Sequence, residues 1–356
     1  MVPRRAFVMI LSLAGAIGAW AGGAKEKAPA PARQPGAEAL APAPAFASSA
    51  TMPDEGTVEP VQKAPPRSIR IAVLLVQTQS SGSVEEGRQK AQYELASHNC
   101  TLDWINIGSM LSETYSDALQ IAKDQGYDAI VTEASEPGAV AAINAAVDAG
   151  IPVATYGDEA AGESKRLFFV GPDHYAEGQA IAGHMAALLG GKGKAAVITS
   201  SFASPVGEQR RKGLEDFLTQ NDPGISVVGQ VEDRGKEDFA HDEAQDFMDS
   251  DPSLSAICVL DAGISGVAKA VSEAGKTGTV KVFCFDLSEA SAALVRQGVI
   301  TAASSPDAFA IGHDPAVRLF NYLVTGIAPP AGRLLTRTDF VTKDNVDQFF
   351  KTDTQQ

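Results

Sequence analysis

The sequence contains few cysteines, few histidines and few aromatic side chains. Its 356 residues include 3 Cys and 5 His, and only 6% are aromatic. Cys100, Cys258 and Cys284 are too few and too far apart for a cysteine-ligated metal site or a disulfide framework. The five histidines show no metal-ligand spacing. We therefore expect neither a metal site nor a cofactor.

Positive charge is also scarce, with 29 Lys and Arg against 44 Asp and Glu and a formal charge of −15. A nucleic-acid-binding protein would present a basic surface to displace counterions, so this class of partner is excluded. The hydrophobic fraction of 44% is ordinary for a globular protein with a sizeable core. The length allows two or three domains.

Long hydrophobic runs are absent except near the N-terminus. Arg4 and Arg5 precede an apolar run over residues 7–20, which is too short to span a bilayer. An A-x-A cleavage site follows at residues 19–21, so residues 1–21 are typical of a signal peptide; an uncleaved anchor is the alternative. No cysteine lies near this site. We expect a periplasmic or extracellular protein without a lipid anchor, exported by the Sec or the twin-arginine route.

Residues 22–66 are rich in alanine and proline and hold nine of the 20 prolines. They lack a hydrophobic period, and proline removes backbone donors. This composition predicts a disordered tether.

From residue 68 onward, short apolar runs alternate with amphipathic stretches. Strands are predicted at residues 69–76, 102–107, 128–132, 151–155, 194–199, 225–231, 256–260, 280–285 and 299–303. Helices are predicted at residues 85–97, 116–125, 139–149, 176–189, 209–219, 239–248, 265–274 and 288–296. Alternation of this kind indicates βαβ units and a doubly wound parallel sheet.

One strand–helix–glycine–strand pattern occurs twice, with the helix ending at Gly150 in the first copy and at Gly275 in the second. The repeat predicts two similar α/β lobes. Ligands of open α/β sheets bind beyond the carboxyl ends of the strands, so two facing lobes would enclose one cleft.

No catalytic motif is present. The glycines at residues 191–196 match the letters of a dinucleotide loop, but here the helix precedes the strand, which is the reverse of the order that a phosphate site needs. Neither G-x-S-x-G nor H-E-x-x-H occurs. We therefore expect a protein that is not an enzyme.

Several segments resemble the type 1 periplasmic solute-binding proteins, the group that includes the ribose and galactose receptors of ABC importers. They are Gly-Ile-Pro-Val-Ala-Thr-Tyr at 150–156, Phe-Val-Gly-Pro-Asp-His-Tyr-Ala-Glu-Gly-Gln at 169–179, Leu-Gly-Gly-Lys-Gly-Lys at 189–194, Arg-Arg-Lys-Gly-Leu at 210–214 and Phe-Cys-Phe-Asp at 283–286. The resemblance runs from about residue 69 to residue 341.

The resemblance implies two lobes joined by a three-strand hinge, with residues 67–171 and 306–331 in the first lobe and residues 172–305 and 332–356 in the second. It implies closure on a small polar solute, such as a sugar or sugar derivative, without chemistry on it. The implied partner is the membrane permease of an ABC importer. A sensor kinase or chemoreceptor is the alternative, which the sequence leaves open. Regulators of the LacI type share the ligand core but need a basic DNA-binding segment before it.

Two aspartates of the second lobe follow apolar strands. Asp286 occupies the place where the family binds sugar hydroxyls, and a carboxylate there could accept two hydrogen bonds. Asp261 ends the preceding strand. The alternative for each residue is to cap the helix that follows, near residue 288 or residue 265.

In the first lobe, Tyr156 could stack on a ligand ring and Asp158 could accept hydrogen bonds. The first loop lacks the aromatic rings that sugar receptors carry there, but Gln77 and Ser80 could bind a polar solute.

The second lobe offers three further candidates, two of which depart from the pattern of the sugar receptors. Phe202 precedes the helix of residues 209–219. Ribose-type receptors place Arg where Glu208 falls and Gln where Ser304 falls. The four acidic candidates would also suit an amino-bearing ligand; they are Asp158, Glu208, Asp261 and Asp286. Some of these carboxylates must then be neutralised, by Arg210, Arg211 or Arg234.

Overall fold

The computed structural model describes residues 51–53, 58–75, 82–106, 112–135, 138–159 and 162–349. The predicted signal peptide and most of the predicted tether lie outside the described residues, as do the candidate site residues Gln77 and Ser80. Among the described residues, no helix is both long enough and apolar enough to cross a membrane.

Strands and helices alternate along the chain. The strands are β1 (Thr51–Pro53), β2 (Ile69–Leu75), β3 (Cys100–Asn106), β4 (Ala129–Thr132), β5 (Val153–Tyr156), β6 (Phe168–Gly171), β7 (Gly193–Thr199), β8 (Ile225–Glu232), β9 (Ala256–Val259), β10 (Lys281–Phe285), β11 (Ala302–Pro306), β12 (Arg333–Leu335) and β13 (Thr338–Thr342). The helices are α1 (Gly82–Ala96), α2 (Ser112–Asp124), α3 (Ala139–Asp148), α4 (His174–Leu189), α5 (Pro205–Asn221), α6 (Glu237–Ser250), α7 (Ile264–Glu273), α8 (Glu289–Arg296), α9 (Ala308–Thr325) and α10 (Val346–Phe349).

The first sheet has the strand order β1-β12-β6-β5-β4-β2-β3, and its neighbouring strands run parallel. Its strands are apolar on both faces because helices cover both. Residues of α1 and α9, such as Leu95 and Phe320, pack on one face. Residues of α2 and α3, such as Leu119 and Ile143, pack on the other.

The second sheet has the order β13-β11-β10-β9-β7-β8, with only β13 antiparallel to its neighbour. Helices α4 and α5 cover one face, where Ile181 and Leu214 are fully buried. Helices α6, α7 and α8 cover the other face, where Ala244 and Val271 are buried. Two doubly wound α/β lobes confirm the predicted fold class.

The chain passes from one sheet to the other three times between residues 162 and 349. The crossings follow β6, β11 and β12. The third differs from the predicted boundary, because Arg333–Leu335 pairs with β6 in the first sheet and the chain leaves that sheet only afterwards. The expectation that residue 332 begins the last part of the second lobe is therefore wrong by a few residues.

Part of the predicted tether packs against the first lobe. β1 pairs with β12. The backbone N–H of Val61 donates to Asn321 Oδ1 of α9 at 2.8 Å, and Asn321 Nδ2 donates to the Glu59 carbonyl at 2.9 Å. Val58 and Val61 also contact the apolar cluster of that lobe. The prediction of a free tether is wrong for this segment, because it has apolar and backbone groups that the lobe satisfies.

Candidate functional site

A cavity of about 600 Å³ lies between the two lobes, where the carboxyl ends of both sets of parallel strands meet. The residues that line it come from both lobes and from the crossings: Val84, Arg88, Glu133, Tyr156, Gly157, Asp158, Pro172, His174, Ser200, Ser204, Val206, Arg210, Asp261, Asp286, Leu287, Ser288, Ser305, Pro306, Ala308 and Ile311. Tyr156, Asp158, Asp261 and Asp286 are the predicted site residues among them.

The first-lobe wall is built around Tyr156, which ends β5. Its hydroxyl accepts a hydrogen bond from Arg88 Nη2 at 3.1 Å and donates one to the Leu74 carbonyl at 3.3 Å. Burial, reinforced by the Glu133 carboxylate, raises the pKa of Tyr156 far above its ordinary value. Since the side chain is 3% exposed, Tyr156 mainly supports Arg88 and offers little ring surface for stacking.

The second-lobe wall carries Arg210 and Asp286. Ser204 caps the N-terminus of α5 by accepting from the Gly207 N–H, and Pro205 begins the helix. This start sets the helix so that Val206 and Arg210, four residues apart, face the cavity. Arg210 Nη1 and Nη2 donate to the two carboxylate oxygens of Asp286 at 2.7 and 3.0 Å.

Helices α4 and α5 approach closely enough for Glu177 to reach Arg210. A Cβ on Gly178 would lie 2.1 Å from the Arg210 carbonyl oxygen, and one on Gly213 would lie 2.1 Å from that of Tyr175. Glu177 Oε2 accepts from Arg210 Nε at 3.2 Å and from Nη2 at 3.1 Å. The two glycines thus let the helices approach closely enough for the buried charges of Glu177 and Arg210 to pair.

The opposite charges of Arg210 and Asp286 keep both side chains ionised. Burial would lower the pKa of Arg210, but Asp286 and Glu177 raise it above its ordinary range. Desolvation would raise the pKa of Asp286, but the Arg210 charge and hydrogen bonds hold it below its usual value. Both side chains are therefore charged at neutral pH.

Asp261 joins the ends of β7 and β9. It accepts from the Ser200 N–H and Oγ, each at 2.6 Å, and from Thr199 Oγ1 at 3.2 Å. Neither Asp261 nor Asp286 caps the next helix, since Gly263 and Ser288 occupy those N-cap positions. The capping alternatives are therefore wrong for both residues.

Three predicted site residues do not line the cavity. Phe202 is 45% exposed, and its N–H donates to Glu232 Oε1. Glu208 pairs with Arg211 on the far side of α5 from Arg210. Ser304 is buried and donates to Glu177 Oε1 at 3.3 Å, while its neighbour Ser305 reaches the cavity.

Several charged residues of the cavity were not predicted from the sequence, chiefly Arg88, Glu133 and His174. His174 Nδ1 lies 3.0 Å from Glu177 Oε2, and Nε2 lies 3.4 Å from Asp158 Oδ1. Burial would lower the pKa of His174, but these carboxylates outweigh it and raise the pKa to about 9. The Asp-His dipeptide at 173–174, directly after an apolar strand, is the signal that could have found it.

The acidic residues of the cavity are largely partnered within the protein. Asp286 pairs with Arg210, Asp261 is held by hydroxyl and backbone donors, and Asp158 faces His174. As expected, Arg210 neutralises Asp286 and Arg211 neutralises Glu208. The Arg211 pair, which also includes Glu215, lies outside the cavity. Among the described residues, no group of three or more His, Cys, Asp or Glu side chains is placed to hold a metal ion.

Comparison with curated proteins finds two relatives in Escherichia coli. The D-allose-binding periplasmic protein is 32% identical over 146 residues, which are 40% of this chain and 47% of that protein. The ABC transporter periplasmic-binding protein YphF is 29% identical over 236 residues, 63% of this chain and 71% of that protein. The chain thus aligns with about half the length of the first relative.

Among solved structures, an arabinose-binding protein from Geobacillus stearothermophilus superposes with a TM-score of 0.69 and 26% identity, covering 80% of this chain and 100% of that chain. The family model described as "Periplasmic binding protein domain" matches residues 72–326. This range includes most of both sheets and most of the cavity. The chain therefore belongs to the periplasmic binding protein family.

Proposed function

We propose that the protein is an exported receptor that binds one neutral, polyhydroxylated solute, a sugar or sugar derivative, between its lobes. The observation that carries this proposal is the Arg210–Asp286 pair on the cavity wall. The relatives whose names mention allose and arabinose support the same class of ligand.

The chemistry of the pair suits hydroxyl groups. A hydroxyl both donates and accepts, so it can bridge the carboxylate of Asp286 and the hydroxyls of Ser200 and Ser204 on the same wall. The pair carries no net charge, so it does not require an ionic ligand. An amine would gain most from a carboxylate without a countercharge, whereas Asp286 pairs with Arg210, Asp158 faces His174, and hydroxyl and backbone donors hold Asp261.

Aliphatic side chains provide the apolar contacts of the cavity. Val84 and Ile311 line it from the first lobe, and Val206 and Leu287 line it from the second. These groups can cover the C–H face of a sugar, a role that aromatic rings often take. Tyr156 is the aromatic residue of the described lining, and it is nearly buried.

Closure about the three crossings would bring Asp158 and Arg88 of the first lobe to the ligand. The closed form would then deliver the solute to the permease of an ABC importer. Export would depend on residues 1–21 acting as a signal peptide. Sequencing of the natively made protein should find Gly22 at the N-terminus, and Met1 there would contradict export with cleavage.

Isothermal titration of the mature protein against D-allose, L-arabinose, D-galactose and D-glucose, with spermidine and putrescine as amines, tests the ligand class. We expect at least one sugar to bind with a Kd of ~1 μM, which corresponds to about −8 kcal/mol. The sugar that binds should also reduce the radius of gyration in X-ray scattering. Binding of the amines alone, or of none of these compounds, would contradict the proposal.

A further inference from the structure

Both ring nitrogens of His174 face carboxylate oxygens. Nδ1 lies 3.0 Å from Glu177 Oε2, and Nε2 lies 3.4 Å from Asp158 Oδ1. A neutral imidazole has one N–H and one lone pair, so it would turn that lone pair toward one of the two anions. The side chain is 7% exposed, and little water can intervene. The contacts therefore indicate a ring that is protonated on both nitrogens.

The charge of His174 is not needed to start its helix. His174 is the first residue of α4, where a cation opposes the helix dipole. Asp173 already caps this end by accepting from the Ala176 N–H at 3.0 Å. The nearby Arg210 also disfavours a second positive charge. The two carboxylates are what hold the imidazolium in place.

These two carboxylates belong to different lobes. Asp158 follows β5 of the first sheet, whereas Glu177 lies in α4, which packs on the second sheet. Glu177 also binds Arg210, which pairs in turn with Asp286. Alternating charges therefore run from one lobe to the other beside the cavity, in the order Asp158, His174, Glu177, Arg210 and Asp286. His174 is the member that contacts both lobes.

The contact between His174 and Asp158 is incomplete in this structure. Nε2 is buried and makes no hydrogen bond. Its separation of 3.4 Å from Asp158 Oδ1 exceeds the usual N–H···O limit of ~3.2 Å by only a few tenths of an ångström. A small rotation of one lobe toward the other would complete the bond.

We propose that His174 is a positioning residue that joins the lobes: its imidazolium holds Asp158 against the Glu177–Arg210 pair and forms a full hydrogen bond to Asp158 when the lobes close. The groups that face it are Asp158 from the first lobe, Glu177 on its own helix, Arg210 on α5 and Asp286 after β10. Loss of its proton would leave a lone pair against one carboxylate, so the lobes should separate at high pH.

Double electron–electron resonance measures the distance between two spin labels, one on each lobe, and it needs no ligand. Cysteines introduced at the exposed positions Lys123 and Gln220 place one label on each lobe, and the three native cysteines are buried. We expect the interlobe distance of the wild type to increase and broaden between pH 7 and pH 10, through the pKa of about 9 for His174.

His174→Gln should show the high-pH distance already at pH 7 and no further change with pH. Asp158→Asn, which leaves the His174–Glu177 contact in place, should behave in the same way and serves if the first variant folds poorly. His241→Gln is the matched control, since His241 also bridges two carboxylates but lies on the outer surface of the second lobe. A pH response in His174→Gln equal to that of the wild type would overturn the proposal.

A second measurement rests on the proposed function. With the sugar that binds best in the panel above as the probe, His174→Gln should weaken binding about tenfold at pH 7 and remove its pH dependence between pH 7 and pH 10. Unchanged affinity and pH dependence would count against the role of His174. If no sugar binds the wild type, the proposed function fails, and the distance measurements alone then decide about His174.

Discussion

Arg210 and Asp286 form an ion pair whose two members have opposite surroundings. The Arg210 side chain is 1% exposed, while that of Asp286 is 54% exposed toward the cavity. Arg210 is also held by Glu177 and by the Leu260 carbonyl at 2.8 Å. The arginine is thus fixed within the protein, and the carboxylate keeps lone pairs free to accept hydrogen bonds from a ligand.

Replacing Asp286 should therefore affect ligand binding more than folding. Asp286→Asn keeps the shape of the side chain and tolerates the left-handed backbone, since φ of Asp286 is 58°. It loses charge-assisted acceptors worth ~1.5–3 kcal/mol each, so affinity for the bound sugar should fall about ten- to a hundredfold. Titration calorimetry measures this change.

Asp286→Ala should show the same loss of affinity and also a lower free energy of unfolding, by about 1–2 kcal/mol, because alanine is strained at this φ. Asp216→Asn, on the outer side of α5, is the control and should bind normally. Affinity of Asp286→Asn within about twofold of the wild type would remove this residue from the binding site.

The adjacent arginines Arg210 and Arg211 allow a matched test of burial. Arg210→Met leaves Glu177, which is 2% exposed, without its main countercharge, and should lower the free energy of unfolding by about 3–5 kcal/mol. Arg211 pairs with Glu208 and Glu215 near the surface, so Arg211→Met should cost under about 1 kcal/mol. Urea denaturation measures both, and equal losses would contradict the buried network.

The segment before β2 should contribute to the stability of the first lobe through Asn321. Asn321→Ala removes the hydrogen bonds to the Val61 N–H and the Glu59 carbonyl, which should lower the free energy of unfolding by about 1–2 kcal/mol. Hydrogen exchange of the Val61 amide should accelerate in this variant. Exchange at the wild-type rate would show that the segment does not depend on α9.

The three cysteines should remain unreactive thiols in the folded protein. Cys258 lies level with Phe283 in the parallel pair of β9 and β10, so Cys284 points to the opposite face of the sheet and no bridge can form. Burial raises the pKa of Cys100 and of Cys284 to about 12. A thiol reagent at pH 8 should label none of them until the protein is denatured, and rapid labelling of the native protein would contradict this burial.

The regular alternation of strands and helices could be predicted because each buried strand is a continuous apolar run. The predicted and observed strands from β2 to β5 and from β7 to β11 overlap. Strands β12 and β13 were missed because each has a single buried residue and gives no apolar run. Strand β6 was missed because it follows β5 with no helix between them, outside the alternation of strands and helices. Helix α9 was missed as well, and it contains Pro315, which usually interrupts a helix.

The cavity residues at strand ends could be predicted from topology, because parallel strands share one carboxyl edge. Side-chain direction within an element was harder. Ser304 and Ser305 are neighbours in β11 and so point to opposite faces. Glu208 lies two residues before Arg210 on α5, which turns it about 200° away from the cavity. The Glu177–Arg210 pair depends on the packing of α4 against α5, which no local pattern reveals.

The order in which the chain enters the two sheets determines which lobe can fold first during synthesis. The second sheet takes its strands β7 to β11 from one continuous stretch, whereas the first sheet still lacks β12 and α9 when that stretch is complete. Leu319, Phe320 and Leu323 of α9 fill the first-lobe core, so this core stays open until they leave the ribosome. The second lobe can therefore bury most of its core before the first lobe is complete. A chain stalled near residue 306 would expose apolar surface of the first lobe that chaperones recognise.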